Sequence, residues 1–200
     1  HMIADKLIDP LIVVTPTFYD DDENIGANSM QNAIDLTMNF HKELRACLIP
    51  TVEKKYNTFL RAALSTPEAA VSDDLITSTR THRAFGGFSM GSLTTWYQLI
   101  GDCAAVKYYI PLSGDIWHFG EGGKRDSYKD VALWVNAELE KSPYKNDFMV
   151  FGYTGTDDLA AKPQRNIVAA LNAFAPVFRF GNPDANLFFS MLQGGRHFYG

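Results

Sequence analysis

The chain has 200 residues and a mass of 22.3 kDa, the size of one domain or most of one. Hydrophobic residues make up 46% and charged residues 20%, near the globular average, which excludes whole-chain disorder, collagen-like repeats and coiled coil. The net charge of −5 and the absence of a Lys/Arg-rich cluster argue against nucleic acid, and no apolar run reaches the ~18 residues that span a membrane.

Two cysteines, Cys47 and Cys103, are too few for a disulfide framework, and Cys47 reads as a buried free thiol in a helix. The acidic run Asp20-Asp21-Asp22-Glu23 reads as a solvated loop, because it lacks the alternating ligand spacing of a calcium site. No metal site is expected, and no signal peptide is visible.

Along the chain, short apolar runs alternate with longer helical patterns. Leu11-Ile12-Val13-Val14 is a β-branched run ending near Pro16 and predicts a buried strand. From Met30 to Tyr56 an apolar stripe (Phe40, Leu44, Leu48, Val52, Tyr56) predicts a helix that Pro50 kinks or splits. Thr66-Pro67-Glu68 has the order of N-cap, first position and acidic first turn, predicting a short helix. Strands are expected at 83–88, 106–112, 148–153 and 187–192. Helices are expected at 90–100, 126–141 and 164–174. This alternation predicts an α/β fold: a mainly parallel sheet with helices on both faces. Right-handed crossovers then bring every strand's carboxyl end to one edge, where such folds carry their sites.

Gly87-Phe88-Ser89-Met90-Gly91 is G-x-S-x-G. The string alone is weak, since chance produces it in about one chain in fifteen at average Gly and Ser frequencies. Its context is stronger: it follows a predicted strand and opens a predicted helix, the sharp turn of a nucleophile elbow. There the Met90 N–H, at the helix start, points toward an oxyanion. A serine needs a base. Of five histidines, His197 follows the last strand and shares Ser89's edge; His41 lies in a helix, His82 at the wrong end of its strand, His118 in a loop at the rim, and His1 at the chain start. The base needs a carboxylate. Asp157 and Asp158 both follow the 148–153 strand, and the residues alone do not choose between them; Asp115, one strand earlier, is less suitable. The order serine, aspartate, histidine is that of an α/β-hydrolase.

The stretch Gly86-Gly87-Phe88-Ser89-Met90-Gly91-Ser92-Leu93-Thr94-Thr95-Trp96 closely resembles the nucleophile region of bacterial feruloyl esterases of carbohydrate esterase family 1. The likeness extends to residues 10–18, Pro111-Leu112-Ser113-Gly114-Asp115, Gly155-Thr156-Asp157-Asp158 and residues 195–199. The resemblance implies Ser89 as nucleophile, His197 as base, Asp158 as triad acid, and Trp117 as a wall for the aromatic acyl group. It implies release of ferulate or another hydroxycinnamate from arabinoxylan, without cofactor, by an extracellular, secreted enzyme joined to xylanase or carbohydrate-binding modules. Two other readings stand beside it: an acetylxylan or general short-chain esterase, and a non-catalytic polysaccharide-binding module. After the histidine the family often carries two tryptophans, where this chain has Phe198 and Tyr199. The family's His-Gly-Gly segment, which supplies a second oxyanion donor, has no counterpart here. Residues 1–200 are therefore expected to be one esterase domain lacking its N-terminal strands and last helix. The Leu11–Val14 strand would then have no neighbour.

Overall fold

The computed structural model describes residues 2–16, 30–120, 123–181 and 183–198. The acidic run at 20–23, His1 and Tyr199 lie outside the described residues. The chain divides into two compact units, His1–Leu36 and Thr37–Gly200.

In the first unit, turns closed by Lys6 N–H to Ile3 O and Leu7 N–H to Met2 O lead into residues 9–16, which form no regular element. The strand expected at Leu11–Val14 is not formed, and all four side chains are exposed. β-branched residues supply only a propensity; a strand exists through its ladder, and this segment has no ladder partner among the described residues.

Helix α1 (Met30–Glu43) runs through the unit boundary into a π-helical turn, Leu44–Leu48, and then α2 (Ile49–Lys55). Pro50 causes the break: it has no N–H to give and its ring crowds the preceding turn, and the widened turn, closed by Ile49 N–H to Leu44 O, makes room for it. Cys47, expected buried, faces solvent in this turn. Two short helices follow, α3 (Phe59–Ala63), capped by the Thr58 hydroxyl, and α4 (Asp73–Ser78), capped by Ser72 with Asp73 and Asp74 in its first turn. The helix expected at Thr66-Pro67 is only a single turn, closed by Ala69 N–H to Thr66 O. The better cap, a serine followed by two carboxylates at the positive end of the helix dipole, lies six residues further on.

The rest is strand–helix alternation: β1 (Ala84–Phe88), α5 (Met90–Asp102), β2 (Tyr108–Leu112), α6 (Tyr128–Glu140), β3 (Met149–Gly155), α7 (Ala161–Phe174) and β4 (Leu187–Leu192). The four strands pair in chain order, all parallel. Because each right-handed crossover steps the same way across the sheet, α5, α6 and α7 fall on one face. There Trp96 and Leu99 of α5, Val135 and Leu139 of α6, and Ile167 and Leu171 of α7 pack with Tyr109, Val150 and Leu187 of the sheet. Each such side chain contributes roughly 1.5–3 kcal/mol by leaving water. The second face carries no crossover helix. Its residues Ile110, Phe151, Tyr153 and Phe188 remain 37–43% exposed, with Phe151 and Phe188 stacked at 5.2 Å.

Two buried arginines hold the amino end of the sheet. Arg83 binds both oxygens of Glu53 and the carbonyls of Ile76 and Ala105. Arg80 binds the carbonyls of Cys103, Val106 and Asp147, and stacks on Tyr144. Each gathers carbonyls at strand and helix ends, among them those of Ala105, Cys103 and Asp147.

Candidate active site

At the carboxyl end of β1 the chain reverses into α5 within one residue. Ser89 makes this turn with φ 57°, a left-handed conformation that costs a non-glycine residue energy and is typical of functional turns. Gly87 is required by proximity: a Cβ there would lie 2.5 Å from the Gly91 backbone. A Cβ on Gly91 would meet nothing within 4 Å, so the second glycine of the motif is not needed for packing. The elbow is anchored to the next strand by Ser89 N–H to Leu112 O (2.9 Å) and by the Ser92 hydroxyl to Gly114 O (3.0 Å). Met90 opens α5, so its N–H has no acceptor within the helix and is available to a ligand.

The carboxyl ends of β3 and β4 bring the other two groups. The Ser89 hydroxyl lies 3.0 Å from His197 Nε2, and His197 Nδ1 lies 2.8 Å from Asp158 Oδ1. Both distances are within hydrogen-bond reach, ≈ 2.6–3.2 Å. The His197 ring also leans on Phe88 at 4.7 Å. Of the two neighbouring aspartates, Asp158 reaches the histidine while Asp157 is exposed and bonded to the Thr156 hydroxyl. Asp158 Oδ1 accepts a second bond from Ala160 N–H at 2.7 Å. Burial pushes the Asp158 carboxyl up, but the Ala160 N–H, the Ser113 hydroxyl and His197 together outweigh it, and its pKa lies below the ordinary aspartate value.

Backbone contacts zip the aspartate and histidine loops together. Thr156 N–H donates to Leu192 O and Asp157 N–H to Gly195 O, while the Thr156 hydroxyl accepts from Gly194 N–H. Gly155 and Gly195 touch so closely that a Cβ on Gly155 would stand 2.0 Å from Gly195 O. Nothing in the sequence signals this contact.

The loop after β2 holds Trp117, whose indole N–H donates to Asp115 at 3.0 Å and whose carbonyl accepts from the Tyr97 hydroxyl. Arg125 binds the other Asp115 oxygen and lies over the Trp117 ring. Asp115 is thus committed to shaping this loop, which accounts for its unsuitability as the triad acid. The remaining histidines are engaged elsewhere. His118 pairs with Asp126 and packs on Trp134, His82 stacks on Phe59, and His41 is bonded to Met38 O, its pKa lowered first by burial. A surface depression of about 310 Å³ beside His41, Arg45 and Asp102 lies at the far end of α5, and its Arg45 is already paired with Asp73 and Asp102. Among the described residues no group of His, Cys, Asp and Glu is arranged to hold a metal, and no helix is long and apolar enough to cross a membrane.

No protein-family model matches the chain. Among curated proteins it is 36% identical over its whole length to the endo-1,4-beta-xylanase Y of Acetivibrio thermocellus, of which it spans 16%. Among solved structures it is similar to a serine-to-alanine mutant of the feruloyl esterase module from Clostridium thermocellum complexed with sinapinate (33% identity, TM-score 0.78). A structure of a protein abbreviated FAE is equally similar (34% identity, TM-score 0.77), and in both cases 98% of this chain matches 61% of the other. A more distant likeness, to the enterobactin esterase of Shigella flexneri (17% identity, TM-score 0.50), covers 84% of this chain and 37% of that one and bears on the fold alone. The sheet is thus that of the α/β-hydrolase esterases, and the resemblance to bacterial feruloyl esterases of carbohydrate esterase family 1 holds along the whole of this chain.

Proposed function

We propose that this chain carries the catalytic centre of a serine esterase that releases ferulate or a related hydroxycinnamate from arabinoxylan. The observation that carries the proposal is the continuous hydrogen-bond line from Ser89 through His197 to Asp158. His197 Nε2 takes the Ser89 proton as Oγ attacks the ester carbonyl, forming a tetrahedral oxyanion. The Met90 N–H donates to that oxyanion; losing one such donor costs about 10²–10³ in rate. The imidazolium then protonates the leaving sugar oxygen, and the C–O bond breaks to leave the acyl group on Ser89. Water, deprotonated by His197, repeats the attack; the imidazolium then returns the proton to Ser89 Oγ as the acyl–Oγ bond breaks, freeing the hydroxycinnamate and regenerating Ser89. Asp158 keeps Nδ1 protonated, so that Nε2 faces the serine as a base.

Trp117 is assigned as the wall on which the aromatic acyl ring stacks. Its orientation is set by the Asp115 bond rather than by loose packing. The relatives' printed descriptions, a feruloyl esterase module and a xylanase, support an aromatic acyl group and a xylan substrate. A polymer of that size is met outside the cell, so the reading includes secretion and physical linkage to xylan-degrading modules. The non-catalytic binding-module reading is disfavoured, because a surface used only for binding has no need of a serine strained to φ 57° against an aligned base.

The test is hydrolysis of methyl ferulate and of 4-nitrophenyl acetate, with Ser89→Ala as control. Ferulate release that vanishes in the mutant is the expected result. Turnover of the acetate ester alone would favour the short-chain esterase. Turnover of neither would overturn the assignment.

A further inference from the structure

Asp158 is buried, yet its Oδ2 oxygen has no hydrogen-bond partner of good geometry among the described residues. A carboxylate oxygen left this way costs free energy, and native structures rarely tolerate it without a reason. Two hydroxyls lie at the neighbouring strand ends. Thr154, on β3, is fully buried, and its Oγ1 lies 3.4 Å from the Oγ of Ser113, itself 5% exposed at the end of β2. Ser113 has φ 51°, and among the described residues only Lys6 and Ser89 share such a conformation without being glycine. One of these is the elbow serine. A second strained serine, fixed by its own N–H to Tyr153 O (2.9 Å), stands one strand away. Strain of this kind persists where the surroundings impose it, and it clusters at functional sites.

We propose that Ser113 is a positioning residue of the triad, its hydroxyl donating to Asp158 Oδ2 while accepting from the Thr154 hydroxyl. The inference rests on the serine esterase reading above. The turn at Ser113 aims the hydroxyl across the strand ends. The carboxylate's three donors are then divided: His197 and Ala160 N–H on Oδ1, Ser113 on Oδ2. With both oxygens held, the carboxylate cannot rotate, and His197 keeps one orientation toward Ser89. The titratable group facing Asp158 is His197, whose own ring faces Ser89 and Phe88.

Two variants separate this from plain packing. Ser113→Ala keeps the left-handed strain and removes the hydroxyl. Ser113→Gly removes the same hydroxyl but relieves the strain, so it should melt above Ser113→Ala. Both are expected to lose about tenfold in kcat on methyl ferulate with KM unchanged, as for loss of a group that acts only through the base. Without the donor, the Asp158 carboxylate becomes more basic and holds the His197 proton more tightly. The acidic limb of the kcat/KM profile should therefore move to higher pH. NMR titration of the His197 ring should show the same upward move in both variants, and it reads the link even if neither ester is turned over. A weaker effect in the same direction is expected from Thr154→Val. Loss of activity that tracks melting temperature, with Ser113→Gly fully active and the His197 titration unmoved, would overturn the proposal. Absent Ser89-dependent turnover with a shifted titration would overturn the esterase reading and leave the positioning role intact.

Discussion

Replacing Gly155 by alanine should disable the site without touching any of its three side chains. Gly155 ends β3, and a Cβ there would stand 2.0 Å from Gly195 O and 2.2 Å from Gly195 C. Ordinary Cβ contacts begin at about 3.0–3.4 Å. The Gly195 segment must therefore retreat by at least about 1 Å, and it is backbone, not the end of a flexible side chain. His197 follows two residues later. Its 3.0 Å bond to Ser89 and 2.8 Å bond to Asp158 cannot both survive a displacement of that size. A 1 Å misplacement costs on the order of 10²-fold in rate. The same overpacking costs about 1–3 kcal/mol of stability, a melting shift of roughly 2–12 °C for a chain of this length. The assay is kcat and KM on methyl ferulate beside thermal melting. The expected pattern is kcat down about a hundredfold at 25 °C, where the variant remains folded, with KM little changed. Wild-type kcat in the folded Gly155→Ala variant would refute the reasoning, because it would mean that the two loops are not held in register by this contact.

Gly87→Ala should prevent the elbow from forming, with activity lost and melting lowered, while Gly91→Ala, which meets nothing, should melt no lower than the wild type. Arg83→Ala leaves Glu53 and two carbonyls without their partner at the buried end of the sheet, and denaturant titration should show a loss of about 3–5 kcal/mol. The folded state depresses the Asp158 pKa, so this group stabilises the fold above the unfolded carboxylate value of about 3.9, and the contribution is lost as pH falls through the lower folded value. Acid unfolding of Asp158→Asn should lack that component, and its kcat at neutral pH should fall by about 10⁴ through the wrong histidine tautomer.

Much of this arrangement was legible in the residues. Apolar runs bounded by turns marked β1 to β4, and the glycines around Ser89 marked the elbow. What failed did so for stated physical reasons. Leu11–Val14 has the composition of a strand, but composition cannot supply the neighbour that makes one. Thr66-Pro67 has the order of a helix start, and Ser72 with two carboxylates behind it is simply the better cap. Asp157 and Asp158 are adjacent and chemically identical, so their side chains alone do not separate them; the family resemblance favours Asp158, and in the fold Asp157 is exposed while Asp158 meets His197. The strain at Ser113 and the Gly155–Gly195 approach had no signature either, since a serine does not announce a positive φ and a glycine does not name the backbone that will touch it.

The geometry of the site is inherited from the sheet. Each ladder continues past its strand: Ser89 N–H donates to Leu112 O, Ser113 N–H to Tyr153 O, and Thr156 N–H to Leu192 O. The first residue of the loop after each of β1, β2 and β3 is therefore fixed in the register of the next strand. The loop after the edge strand β4 is held instead by Asp157 N–H donating to Gly195 O and Gly194 N–H donating to the Thr156 hydroxyl, so strand pairing and this loop-to-loop contact together fix Ser89, Ser113, Asp158 and His197 relative to one another. This accounts for an aligned hydrogen-bond line from Ser89 through His197 to Asp158 in a sheet whose second face leaves Phe151, Tyr153 and Phe188 exposed. The alignment depends on hydrogen bonds along the sheet edge, whereas covering that face is a matter of apolar area. The two requirements are carried by different residues, and the alignment of Ser89, His197 and Asp158 depends on the first.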